Sequence, residues 1–175
     1  PMETDHAYAR IPDLAETWKT TTQPTPGAAN VLQVQGPPPQ FSHPAGLYAG
    51  SLQVTITAED AREIRVTTDG SKPDIASTLY KGPVTISETT GLRARAWYDD
   101  ADPSEITTAS YFFDFHADRK IPVMNIVMDP DDLFNPVTGI YRNYNERGEE
   151  WERPAHIHLM DPDGSEVNET LAGLR

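Results

Sequence analysis

The chain has 175 residues and a formal net charge of −13, from 27 acidic and 14 basic side chains. A field of that sign repels phosphate backbones, so we expect no nucleic-acid partner. The absence of cysteine excludes disulfides and thiolate zinc sites. No stretch approaches the ~20 consecutive apolar residues of a membrane-spanning helix.

Residues 1–36 are predicted to be an extended tail or linker. A run of Thr and Pro between Thr20 and Gly27 carries too little apolar surface to offset the entropy of ordering it. A second break, Gly36-Pro37-Pro38-Pro39, introduces the next module.

Residues 37–115 alternate apolar and polar residues with a period of two, and turn residues bound each run. Short strands with one apolar face each, at ~8–12-residue spacing, indicate an antiparallel, immunoglobulin-like β-sandwich. The predicted interior residues are Leu52, Val54, Ile56, Val66, Ile86, Leu92, Ala94, Ala96 and Tyr111.

Residues 116–175 follow a different pattern. The continuous apolar run Ile121–Met128 predicts a strand buried on both faces, and Asp129-Pro130 has the features of a helix start. Further strands are predicted at 139–141, 155–160 and 171–175. We interpret this part as an incomplete α+β fragment, so the chain is expected to be a piece of a larger protein.

Part of the sandwich resembles the chitobiase/β-hexosaminidase C-terminal-type domain. The resemblance rests on Ile64 to Pro73, which contains Asp69-Gly70-Ser71, followed by Ser77, Tyr80, Pro83 and Leu92 to Ala96. That family usually has Tyr in the position of Val66.

Residues 121–175 resemble the start of the spore coat protein H (CotH) kinase-like family. The matching segments are Ile121-Pro122-Val123, Asp129-Pro130, Leu133-Phe134, Thr138 to Tyr141, Trp151 to Ala155, and Ala172 to Arg175. This resemblance implies an atypical protein Ser kinase that uses ATP and a divalent cation, with its catalytic residues beyond Arg175. We therefore expect no catalytic residue and no cofactor in this chain.

Residues 8–30 resemble the last strand and exit of a lamin-tail-type domain. The residues that carry this resemblance are Tyr8 to Asp13, Trp18, and Thr25 to Asn30. The three resemblances in this order imply a large secreted or cell-surface bacterial protein.

Two polar motifs have both a structural and a ligand-binding interpretation. For Asp69, Gly70, Ser71, Pro73 and Tyr80 we favour a structural turn, because Asp accepts backbone hydrogen bonds two residues on and Gly adopts positive φ.

His156 and His158 lie two apart on a predicted strand and face the same side, as metal ligands could. Glu150 or Glu152 is considered as a third ligand.

Surface aromatic residues suggest a carbohydrate-stacking platform of Trp97, Tyr98 and Tyr48. Trp97 alternates with the inward-facing Ala94 and Ala96, so it is expected to point away from the core. We favour its being covered by a neighbouring domain, because interfaces often bury large aromatic side chains.

The sequence therefore favours a non-catalytic β-sandwich spacer, or accessory module, joined to the beginning of a CotH-like kinase domain. The alternatives are a carbohydrate-binding module and the nucleotide-binding edge of a protein Ser kinase. Expected partners are neighbouring domains of the same polypeptide, with polysaccharide as the alternative ligand.

Overall fold

The computed structural model describes residues 7–10, 16, 18–21, 35–99, 101–113, 121–162 and 167–175. Its strands are β1 (Ala7–Arg10), β2 (Trp18–Thr21), β3 (Gln40–Phe41), β4 (Gly46–Leu47), β5 (Leu52–Val54), β6 (Ile56–Thr57), β7 (Glu63–Thr67), β8 (Thr78–Leu79), β9 (Val84–Ile86), β10 (Thr90–Trp97), β11 (Thr107–Phe112), β12 (Val123–Met128), β13 (Arg153–Met160) and β14 (Val167–Leu174). A short helix, α1 (Pro130–Phe134), and a 3-10 turn at Glu149–Trp151 follow β12. The prediction of a mainly β fold is confirmed.

The sandwich consists of one large sheet facing two small ribbons. The large sheet has five strands in the order β4-β11-β10-β7-β8. Its neighbours are antiparallel, except that β4 runs parallel to β11. The opposite layer comprises the antiparallel pairs β3-β6 and β5-β9.

The apolar core lies between these layers and follows the alternation in the sequence. Of the predicted interior residues, Leu52 is half-buried against the core and the others are all buried. Strand β10 contributes Leu92 and Ala94, and β11 contributes Ala109 and Tyr111. The Tyr111 hydroxyl donates to the carbonyl oxygen of His43 at 2.9 Å, and burial raises the pKa of Tyr111.

A second sheet, here called the C-terminal sheet, consists of β12, β13 and β14 in that order, all antiparallel. Asp129 caps α1 by accepting a 2.9 Å hydrogen bond from the backbone NH of Asp131. The acidic first turn also complements the helix dipole.

The predicted strand at 139–141 is wrong, because these residues form a turn. Their backbone NH groups are used against α1: Ile140 donates to the carbonyl of Asp132, and Tyr141 to that of Leu133, both at 3.0 Å. A donor engaged in this way is not free to join a strand ladder. A Cβ on Gly139 would lie 2.5 Å from the carbonyl oxygen of Leu133, which explains why glycine occupies this close approach.

The two faces of β12 are covered to different extents among the described residues. Asn125 and Val127 point toward the sandwich, whereas Met124 and Ile126 on the other face are exposed. Val127 and Met128, on opposite faces at the end of β12, are both buried. The predicted burial of Ile121–Met128 on both faces therefore holds at this end of the strand and not at Met124 and Ile126.

Two short strands lie within the expected extended tail. Ala7–Arg10 pairs antiparallel with Trp18–Thr21, and both are rich in residues that favour strands, such as Tyr8, Trp18 and Thr20. The Thr/Pro-rich segment 22–30 lies outside the described residues.

We predict that Leu92→Ala lowers the free energy of unfolding by about 2–5 kcal/mol, because Leu92 is fully buried and its truncation leaves a cavity. Urea denaturation measures this change. The control is Ile75→Ala, whose side chain is largely exposed and should change the value by less than about 0.5 kcal/mol. Equal effects of the two substitutions would contradict the assigned core.

Candidate functional site

The outer face of the large sandwich sheet carries buried polar side chains rather than a solvated surface. On β10 and β11, the residues that alternate with the apolar core include Arg93, Thr108 and Ser110, which are buried, whereas Arg95 and Trp97 farther along β10 are half-buried. Buried polar groups need hydrogen-bond partners. The C-terminal sheet supplies partners for Ser110, and we call the contact between the two sheets the seam.

Ser110 lies at the centre of the seam. Its Oγ lies 2.9 Å from Nδ1 of His158 on β13, and it accepts a 2.7 Å hydrogen bond from the Asn125 side-chain amide on β12. His158 is completely buried. Because β12 and β13 are neighbours and Asn125 is paired with His158, a single hydroxyl contacts both strands at one register position.

Arg93 contributes a charge to the same face. Its guanidinium donates a 2.7 Å hydrogen bond to the carbonyl oxygen of Gly70. Burial lowers the pKa of Arg93, while the negative charges of Asp129 and Asp132 raise it. These two carboxylates lie at the start of α1, directly after β12, so the segment that follows the sandwich partly compensates a charge that the sandwich buries.

Lys72 connects the sandwich to the same two carboxylates. Its backbone NH donates to Asp129 at 2.9 Å, and its ammonium donates to Asp132 at 2.7 Å. The Lys72 side chain is 44% exposed, so solvent weakens this ion pair and its main effect is on orientation.

Two glycines allow the sheets to approach closely. A Cβ on Gly91 would lie 3.0 Å from a methyl group of Val127, and one on Gly70 would lie 2.8 Å from the carbonyl oxygen of Met128. Gly70 also has a φ of 86°, a conformation that side chains disfavour. A larger residue at either position would push the C-terminal sheet away.

The Asp69-Gly70-Ser71 motif forms a turn at the edge of the seam. Asp69 accepts hydrogen bonds from the backbone NH of Ser71 at 3.0 Å and from its hydroxyl at 2.6 Å, and these bonds lower the pKa of Asp69. Pro73 is fully buried. The Tyr80 hydroxyl accepts a 3.0 Å hydrogen bond from the backbone NH of Ile56.

The three aromatic residues predicted to form a carbohydrate platform do not lie together. Tyr48 packs on Tyr111 in the core, with ring centroids 5.6 Å apart. Tyr111 is paired with Thr90 at the opposite end of β10 from Trp97. Trp97 and Tyr98 are both half-buried. The Arg95 guanidinium lies 5.7 Å from the Trp97 ring centroid, and the Tyr98 hydroxyl donates to the Pro37 carbonyl at 2.6 Å.

The two histidines do lie together, on the face of β13 toward the sandwich. Their ring centroids are 4.6 Å apart, and burial lowers the pKa of each. The carboxylate that joins them is Glu169 on β14, whose Oε2 lies 3.3 Å from Nε2 of His158. Glu152, which the sequence suggested as a ligand, instead pairs with Arg175 at 3.2 Å.

Sequence reasoning missed Ser110, Asn125, Arg93 and Lys72 as interface residues. Ser110 and Asn125 belong to different modules, and no local spacing connects them with His158. One available signal was the position of Arg93, a long cation facing outward between two core residues of a central strand.

Residues 54–111 match the family described as Fn3 associated, which covers about a third of the chain. This region extends from the end of β5 through most of β11. The match fits a non-catalytic accessory β-sandwich module and is consistent with an extracellular or surface location. No curated protein matches the chain at a significant level.

Among solved structures, the chain is similar to a mutant of the SrpA adhesin from Streptococcus sanguinis, with 12% identity. The similarity covers 78% of this chain and 93% of the adhesin chain, with a TM-score of 0.25. A score this low carries no argument about function. Within the described residues, no helix is long and apolar enough to cross a bilayer.

We predict that Ser110→Ala lowers the free energy of unfolding by about 1–3 kcal/mol, because the buried Nδ1 of His158 and the amide of Asn125 both lose their partner. Urea denaturation of purified protein measures the change. Ser87→Ala, at an exposed position, is the matched control and should alter stability by less than about 0.5 kcal/mol. If Ser110→Ala were as stable as this control, the hydrogen bonds of Ser110 would not stabilise the seam.

Proposed function

We propose that the chain is a non-catalytic spacer of a large secreted or cell-surface bacterial protein, which holds the beginning of a CotH-like kinase domain in a fixed orientation. The observation that carries this proposal is the seam. Its contacts are directional hydrogen bonds from Ser110, Asn125 and Lys72 rather than apolar packing alone.

Directional contacts suit a spacer because they penalise rotation. An apolar interface tolerates some sliding, whereas a buried hydrogen bond that breaks leaves an unpaired group at a cost of about 1–3 kcal/mol. The close approaches at Gly70 and Gly91 restrict the register further. Together these features favour one arrangement of the two sheets.

The proposed kinase link rests on the resemblance of residues 121–175 to the start of that family. It is supported by the far face of the C-terminal sheet, where three large apolar side chains, Met124, Ile126 and Leu159, are exposed. In a complete domain, another layer of the same polypeptide would cover them. ATP and a divalent cation would then be cofactors of the complete domain.

A carbohydrate-binding module remains the competing proposal. It would use Trp97 and Tyr98, with Tyr48 set apart in the core region. The Arg95 guanidinium over the Trp97 ring competes with a stacked sugar for that ring face. For this reason we prefer the spacer.

We predict that the sandwich and the C-terminal sheet keep one fixed distance in solution. Because the chain has no native cysteine, spin labels can be placed on Lys81→Cys and Asn168→Cys, both at exposed positions on the two units. Pulsed electron–electron double resonance should give one narrow distribution of the distance between the two labels. Adding Ser110→Ala should broaden it.

The control for that measurement is a label pair within the sandwich, Glu59→Cys with Lys81→Cys, which should stay narrow with and without Ser110→Ala. A broad distribution between the units in the otherwise unaltered chain would refute the spacer. It would indicate two units that move independently.

We also predict that soluble polysaccharides do not retard the chain in affinity electrophoresis. Trp97→Ala should migrate like the unsubstituted chain in every gel. Retardation that disappears in Trp97→Ala but persists in Tyr144→Ala, an exposed aromatic residue elsewhere, would favour the carbohydrate-binding alternative.

A further inference from the structure

Three potential metal ligands meet at the edge of the seam. One nitrogen from each of His156 and His158, and one carboxylate oxygen of Glu169, all lie within 4.8 Å of one another. The strand register causes this arrangement. His156 and His158 are two apart on β13, and His158 is directly opposite Glu169 on β14.

One ring nitrogen of each histidine is buried without a hydrogen bond. Among the described residues, neither Nδ1 of His156 nor Nε2 of His158 has a hydrogen-bond partner. The 3.3 Å contact of Nε2 with Glu169 is close enough for an ion pair but does not satisfy the nitrogen. Burying a polar atom unpaired is costly, so an unpartnered nitrogen in a completely buried ring points to a missing ligand.

The hydrogen bond on the other side of the ring supports the same conclusion. Metal-binding histidines usually donate their second ring NH to a polar neighbour, which fixes the tautomer and the ring orientation. Ser110 Oγ lies 2.9 Å from Nδ1 of His158 and accepts its hydrogen in the tautomer that carries the proton on Nδ1. In that tautomer, Nε2 directs a lone pair toward Glu169, and two electron-rich atoms face each other unless a cation lies between them.

We propose that His156, His158 and Glu169 bind one divalent transition metal ion of the zinc class. Zinc bonds to nitrogen and oxygen are about 2.0–2.1 Å long, so neighbouring ligands of a tetrahedral ion lie about 3.3–3.4 Å apart. The Nε2–Oε2 distance of 3.3 Å already matches that edge. Imidazole ligands disfavour Ca²⁺ and Mg²⁺, which prefer oxygen.

The remaining ligand distances can close by side-chain movement. Glu169 is 60% exposed on its side chain, so its carboxylate is free to rotate toward the ion. Three protein ligands leave a fourth position for water. The ion would join β13 to β14 and immobilise His158, whose other nitrogen contacts Ser110 of the sandwich, so binding would stiffen the seam.

Isothermal titration of the full chain with Zn²⁺ at neutral pH tests the site. We expect one ion per chain, and His156→Ala and Glu169→Gln should each weaken binding by at least about tenfold. Ser110→Ala should also weaken it, because Ser110 orients His158. His43→Ala and Glu152→Gln are the matched controls and should bind like the unsubstituted chain.

A spectroscopic readout separates ligation from a general effect on folding. Co²⁺ in place of Zn²⁺ should give the intense visible absorption of tetrahedral coordination, and Glu169→Gln should change that spectrum while circular dichroism remains the same. No saturable binding, or equal affinity in His156→Ala and the unsubstituted chain, would overturn the proposal. The latter result would place the ion elsewhere on the chain.

Discussion

Strands β10 and β11 are covered on both faces, and this constraint organises the structure. One face must be apolar because it forms the sandwich core, as with Leu92 and Tyr111. The other face is also withdrawn from water, yet it carries Arg93 and Ser110. Each of these polar groups must therefore find a partner within the fold. Ser110 finds its partners on the C-terminal sheet, and Nη1 of Arg93 donates to the carbonyl of Gly70 on the adjacent turn.

The alternation of residues made the sandwich predictable, because a period of two in Val54, Val66 or Leu92 reports directly which face is buried. It did not reveal what covers the opposite face. The same reasoning failed at 139–141, where Ile140 and Tyr141 look like strand residues but donate their backbone NH groups to α1. A local sequence pattern does not predict such a hydrogen bond, because the bond forms only once the chain has turned back on itself.

Only part of the candidate site could be predicted from the sequence. His156 and His158 share a face of one strand, and this follows from their spacing alone. Glu169 could not be selected, because its position opposite His158 depends on the register between β13 and β14. Shifting that register by one residue would turn Glu169 to the other face.

The sequence pattern also predicts Trp97, Tyr98 and Tyr48 as surface aromatic residues, but strand direction separates Tyr48 from the other two.

The parallel pairing of β4 with β11 has a mechanical consequence. These are an early and the last strand of the sandwich, and the backbone NH of Tyr48 donates to the carbonyl of Phe112 at 2.9 Å. If the sandwich were stretched from its two ends, the two strands would be drawn in opposite directions along their length. Their hydrogen bonds would then be loaded together in shear, instead of opening one at a time like a zipper. The pair is therefore placed where it would resist tension along the chain.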